Sequence, residues 1–129
     1  LHWGYGFEGE IGRATAQLQQ AEVALERARI AAQTDISDAA QVLRHAQERL
    51  QWFEAQILPR AQKIASQADY AYQKGALSLT DLIEARRTLR STQMDALGAR
   101  TEHAKAHTQW EIRTQSAATL RSATTTHTP

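Results

Sequence analysis

From Ile11 onward the apolar residues recur in alternating steps of three and four: Ile11, Ala14, Leu18, Ala21, Leu25, Ala28 and Ala32. This is the heptad spacing of a seam on one helix face, with Ala at every second core position. Small side chains there let two helix backbones approach closely, so the chain is constrained to pack long helices side by side. The seam then skips four residues and resumes at Ile36, Ala39, Leu43, Ala46, Leu50, Phe53 and Ile57. It shifts by four again to Ala61, Ile64, Ala68 and Ala71. Four-residue shifts are stutters, which relax a left-handed supercoil toward straight, nearly parallel helices. Pro59 falls at the second shift. An interior Pro removes a backbone hydrogen bond and crowds the preceding turn, which predicts a kink or a break near Leu58.

The chain has 129 residues, 42% of them hydrophobic and 6% aromatic. Ala supplies roughly a fifth of the residues, and so small a side chain buries little area, which argues against a thick core. That length allows one domain at most, or a piece of one. There are 15 Lys+Arg, 14 Asp+Glu and no Cys. The charges are interspersed, unlike the gathered basic face of a nucleic-acid binder, so no nucleic-acid partner is expected. Without Cys there is neither a disulfide framework nor a thiolate site. No window is apolar enough for a transmembrane helix, and no targeting peptide is visible. Because the first residue is Leu1, the expectation is a processed chain or a fragment.

Residues 1–7 differ in character. Trp3, Tyr5 and Phe7 alternate with Gly4 and Gly6, a period of two that predicts a strand end. Residues 8–121 read as a long antiparallel helical hairpin, all-α and coiled-coil in type, with its tip at 73–80. In that tip Gly75 suits the C′ position of one helix and Ser78 the N-cap of the next. Asp81, three residues after Ser78, occupies the acidic position of a capping box. The second helix carries Leu82, Ala85, Leu89, Thr92, Ala96, Ala99, His103, Ala106, Trp110, Ala117 and Leu120 on one stripe. Residues 122–129 are polar and expected to be disordered. At 1.5 Å per residue the arm from Gly12 to Tyr72 would run about 90 Å, and the arm from Leu79 to Arg121 about 65 Å. Such a hairpin has no compact core of its own, so its stripes are expected to face further helices.

Three features together resemble a known family. They are Gly9-Glu10-Ile11-Gly12-Arg13-Ala14 at the start of a long helix, the Leu58-Pro59 pair partway down, and the segment from Tyr72-Gln73-Lys74-Gly75 to Asp81-Leu82-Ile83-Glu84-Ala85. They are similar to the outer membrane efflux channels of the TolC-like type. The run Ala85-Arg86-Arg87-Thr88-Leu89-Arg90 looks most like the heavy-metal, CzcC-like branch. The resemblance spans Gly9 to about Gln115 and implies a fragment of a channel in which a β-barrel continues into an α-helical barrel. It implies a homotrimer of a parent chain, anchored in the bacterial outer membrane through the parent barrel, with this segment in the periplasm. The implied partners are a periplasmic adaptor and an inner-membrane RND pump, and the implied activity is passive export of heavy-metal cations or other small molecules. Residues 1–7 would be the last strand leaving the barrel.

The same resemblance places Tyr72, Asp81 and Glu84 at the periplasmic aperture, where repeated carboxylates around a narrow pore would favour cations. The residues by themselves also permit a plainer role: Asp81 capping and Glu84 supporting the first turn of the second helix. The two roles can coexist. Some family members place a basic residue between the Gly and the Asp to lock the mouth; here Leu77 stands in that neighbourhood, with Lys74 just ahead of it. Gly75, Ala76, Leu77 and Ser78 are instead expected to form the adaptor contact, with Leu77 either anchoring the partner or packing across its own turn.

His103, His107 and Glu111 share a helix face, but they lack the adjoining Glu of the zincin motif, and no metal site is assigned to them. The clusters Glu8, Glu10, Arg13 and Arg86, Arg87, Arg90 read as solubilising faces. Neither a phosphate-binding Gly-rich loop nor a nucleophile elbow is present, and neither an enzyme nor a cofactor is expected. A different class of protein, the helical hairpin of a periplasmic adaptor, shares the long antiparallel helices. The alternating aromatics of residues 1–7 favour the channel over it. A free-standing cytosolic coiled coil is a third reading.

Overall fold

A computed structural model describes residues 3–125, with the side chains of residues 3–5 and 124 outside the description. Among the described residues every regular element is helical: α1 (Trp3–Trp52), a π-helical turn (Phe53–Ile57), α2 (Leu58–Gln73) and α3 (Leu79–Thr125). The all-α expectation holds. None of these helices is long and apolar enough to cross a membrane.

Both ends differ from the sequence expectation. Trp3–Phe7 continues α1 as helix instead of forming a strand end. The alternation of aromatic residues with Gly was the only strand signal, and here it is overridden by continuity with a long helix, whose propagation adds a hydrogen bond for each residue fixed. Leu1 and His2 lie outside the described residues. At the other end α3 runs on to Thr125, four residues into the stretch expected to be disordered. Side-chain hydroxyls supply part of the reason. Thr119 and Thr125 donate to the carbonyls of Gln115 and Arg121 at 3.0 and 2.9 Å, so Thr here bonds back within the helix instead of competing with it. Residues 126–129 are outside the description.

The chain divides into two compact units. One comprises Asp38–Ile112 and is an antiparallel helical hairpin. Its buried residues are Ala39, Ala61, Ala65, Ala68, Leu82, Thr92, Ala96, Ala99 and Ala106, so the seam is built almost wholly of Ala. Leu43, Ala46, Leu50, Phe53 and Ile57 are half-buried between them. Interhelical ion pairs mark the antiparallel register: Arg86 to Asp69 at 2.7 Å, Arg100 to Glu54 at 2.8 Å and Arg49 to Glu102 at 2.6 Å. Rising numbers on α3 meet falling numbers on the other arm.

Pro59 does not break this arm. The N–H of Leu58 reaches back five residues to the carbonyl of Phe53, and Pro59 follows within the first turn of α2, where its missing N–H costs least. The π-turn therefore takes up the stutter. One correction to the seam follows from it: beyond Ile57 the buried face runs through Ala61, Ala65 and Ala68, with Ala65 4% exposed, while Ile64, assigned to the seam from the sequence, is 48% exposed. Widening one turn holds three successive steps of four, Phe53 to Ile57 to Ala61 to Ala65, on one face.

The other unit comprises Leu1–Ser37 and Arg113–Pro129. Its α1 segment and the end of α3 border an open apolar groove of about 390 Å³, lined by Leu25, Ala28, Ala32, Ile36, Ala117 and Leu120, with Arg29, Gln33 and Arg121 at its rim. Arg113 reaches the carbonyl of Asp35 at 3.4 Å. Upstream, Ile11, Leu18 and Leu25 remain exposed despite their heptad spacing.

Candidate site at the helical tip

Backbone bonding in the Asp38–Ile112 unit fixes the reversal. The N–H of Gly75 donates to the carbonyl of Tyr72 at 3.0 Å, and the N–H of Ala76 donates to that of Ala71 at 2.9 Å. These are the paired bonds of a Schellman motif. Gly75 sits at the C′ position with φ of +75°, a left-handed conformation that costs a residue without Cβ little. The next helix starts three residues later. Ser78 is its N-cap: the Ser78 Oγ accepts from the backbone N–H of Asp81 at 3.2 Å, and the Ser78 carbonyl accepts from Leu82 at 3.1 Å. Both helix ends read from the sequence are where it placed them.

Tyr72, Asp81 and Glu84 are all exposed and lie close to this reversal. Asp81 occupies the first turn of α3, where the helix dipole favours a carboxylate. Glu84 is 3.7 Å from Arg87 Nη1, one turn further on the same helix. The acidic pair is thus accompanied by guanidinium groups, and Arg86 is held across the hairpin by Asp69. Within one hairpin the tip has mixed charge and is not a purely acidic rim. About two turns of helix carry Ile83, Arg86, Arg87 and Arg90 around a shallow groove of about 210 Å³, a feature that the reading of these arginines as a solubilising face did not anticipate. The alternation of one Ile with Arg at helical spacing was the available signal.

Gly75, Ala76 and Ser78 are exposed, whereas Leu77, the expected apolar anchor, is half-buried. The neighbouring Leu79 is exposed and is the more prominent apolar side chain at the tip. Lys74, the cation nearest the loop, lies over the ring of Tyr70 with Nζ 5.5 Å from the centroid. That cation–π placement turns it toward its own helix.

Further along α3, His107 Nδ1 is 3.5 Å from Glu111, its ring lies 6.2 Å from that of Trp110, and His103 is half-buried in the seam. Among the described residues no group of three His, Cys, Asp or Glu side chains is placed to hold a metal ion. In comparisons with known proteins, no family model matches the chain, and no curated protein or solved structure matches it.

Proposed function

We propose that the chain is the helical-hairpin portion of an outer membrane efflux channel of the TolC-like type, a passive, non-catalytic duct component for heavy-metal cations. The supporting observation is the tip: a Gly75 Schellman reversal and a Ser78 cap join two close-packed helices and leave Tyr72, Asp81 and Glu84 exposed beside the turn. In a homotrimer of the parent chain these carboxylates would repeat around the duct's periplasmic mouth. Gly75, Ala76, Leu77 and Ser78 would meet a periplasmic adaptor linked to an inner-membrane RND pump. Arg86 and Arg87 temper the local field, so the expected preference for cations is modest.

Planar-bilayer recordings of the full parent chain test this reading. Replacing Asp81 and Glu84 together with Ala is expected to lower cation selectivity; an unchanged reversal potential across a salt gradient removes the aperture assignment.

A second reading gains from one observation. The helical Trp3–Phe7 segment takes away the barrel-strand signal that favoured a channel over the hairpin of a periplasmic adaptor. Both readings predict that the tip binds a partner hairpin, and the protein sequence preceding Leu1 separates them: a barrel-and-hairpin repeat for the channel, a lipoyl-like β domain for the adaptor.

A further inference from the structure

The groove of about 390 Å³ in the unit of Leu1–Ser37 and Arg113–Pro129 is apolar along its length and basic at its rim. Ala28, Ala32 and Ala117 line it, and side chains this short leave open the space that larger residues would fill. Its polar lining consists of Arg29 and Gln33 from α1 and Arg121 from α3, and no carboxylate is among the lining residues. We infer that this groove binds a single-chain anionic amphiphile, a fatty-acid-type carboxylate, with its alkyl chain along the alanines and its head group at the arginines. The site is independent of the duct reading, because it uses no residue of the helical tip.

Size selects the alkyl chain. From Leu25 to Ile36 the α1 wall runs about 16 Å at 1.5 Å per residue, the reach of a mid-length acyl chain. Spread over that length, the volume gives a cross-section of about 24 Å², which suits one extended alkyl chain and is far too slender for a further helix about 10 Å across. It is equally too small for the two chains of a phospholipid. Water in the groove finds few polar partners among these side chains, so methylene groups that displace it are favoured.

Charge selects the head group. The two helices that border the groove each contribute a guanidinium, and Gln33 adds an amide donor. Arg29 is half exposed, and its ion pair with Glu26 spans 3.9 Å, well beyond the roughly 2.8 Å of a hydrogen-bonded guanidinium and carboxylate. A ligand carboxylate can take two N–H donors of one guanidinium at once, a geometry that the Glu26 separation does not give. Without a lining acid to repel it, an anionic head is preferred there over a neutral or cationic one.

Isothermal titration of dodecanoate, kept below its micelle concentration, into the full 129-residue chain tests the inference. One saturable site per chain is expected, and dodecyltrimethylammonium, with the same chain and a cationic head, should bind at least about tenfold more weakly. Shortening the ligand to decanoate should weaken binding by about two- to fourfold per methylene lost. Arg29→Gln together with Arg121→Gln should weaken dodecanoate about tenfold and narrow the gap between the two head groups. Ala28→Phe, at an exposed position of the lining, should occlude the groove and weaken both ligands, with far-UV circular dichroism establishing that each variant keeps its helix content. The head-group comparison needs no variant. Equal affinity for the two head groups, several molecules bound per chain without saturation, or binding untouched by Ala28→Phe overturns the inference. So does binding of anionic phospholipid vesicles by a chain that takes up no monomeric dodecanoate.

Discussion

Arg100 Nε donates to Glu54 Oε1 at 2.8 Å, joining α3 to the π-turn at a point where the opposite arm departs from α-helical bonding. Both side chains are about half exposed, so solvent screens the pair. Replacing either with Ala should cost less than about 1 kcal/mol, with a coupling of about 0.5 kcal/mol. A double-mutant cycle in urea checks this, and a coupling several times larger would show that the ion pair holds the π-turn in place.

The close approach of the two arms predicts an asymmetry between a seam residue and an exposed one. Ala99 is 1% exposed in the seam, and enlarging it to Leu should force the helices apart at a cost of about 1–3 kcal/mol. Ile64, although larger and more hydrophobic, should tolerate Ala with a loss under about 1 kcal/mol, since it is half in solvent. Urea midpoints of the two variants give the comparison, and the reverse order would restore Ile64 to the seam.

At the tip, Gly75→Ala should destabilise by about 1 kcal/mol through the backbone alone, because a Cβ there meets no atom within 4 Å while φ stays positive. Ser78→Ala should cost a similar amount, about 1 kcal/mol, by leaving the Asp81 N–H without its cap. Hydrogen exchange at the Asp81 amide distinguishes them: Ser78→Ala should speed it markedly and Gly75→Ala much less.

Thr92 is buried in the seam, and its hydroxyl donates to the Thr88 carbonyl at 2.8 Å. That carbonyl keeps its own helical bond without the hydroxyl, so Thr92→Val should be neutral within about 1 kcal/mol. A thermal melt checks it, and a larger loss would assign the hydroxyl a role beyond this internal bond.

Much of this was legible in the sequence, and the misses share a cause. Of the stripe read on α3, Leu82, Thr92, Ala96, Ala99, Ala106 and Ala117 are buried, whereas Leu120 at its end is 46% exposed. Gly75 and Ser78 were legible because their conformational demands are local. Ile64 was misplaced because heptad counting assumes a constant residue angle, and the turn before Pro59 breaks that constancy. The Trp3–Phe7 strand was misjudged because alternation over so few residues is weak against a helix already propagating. The basic partner of Asp69 was present as a letter, yet its meeting with Arg86 depends on the register between the arms, which the periodicity of one helix does not contain.

The widened turn at Phe53–Ile57 also makes the chain unequally tolerant of changes in length. A π-turn holds one residue more than the α-turn it replaces. Deleting a single residue there would let the arm close into plain α-helix with Leu50 and Ala61 still on the same side. The same deletion near Ala46 or Ala68 would rotate everything beyond it by about 100° and carry the seam out of the interface. Natural variation in helix length would accordingly be absorbed at this one turn.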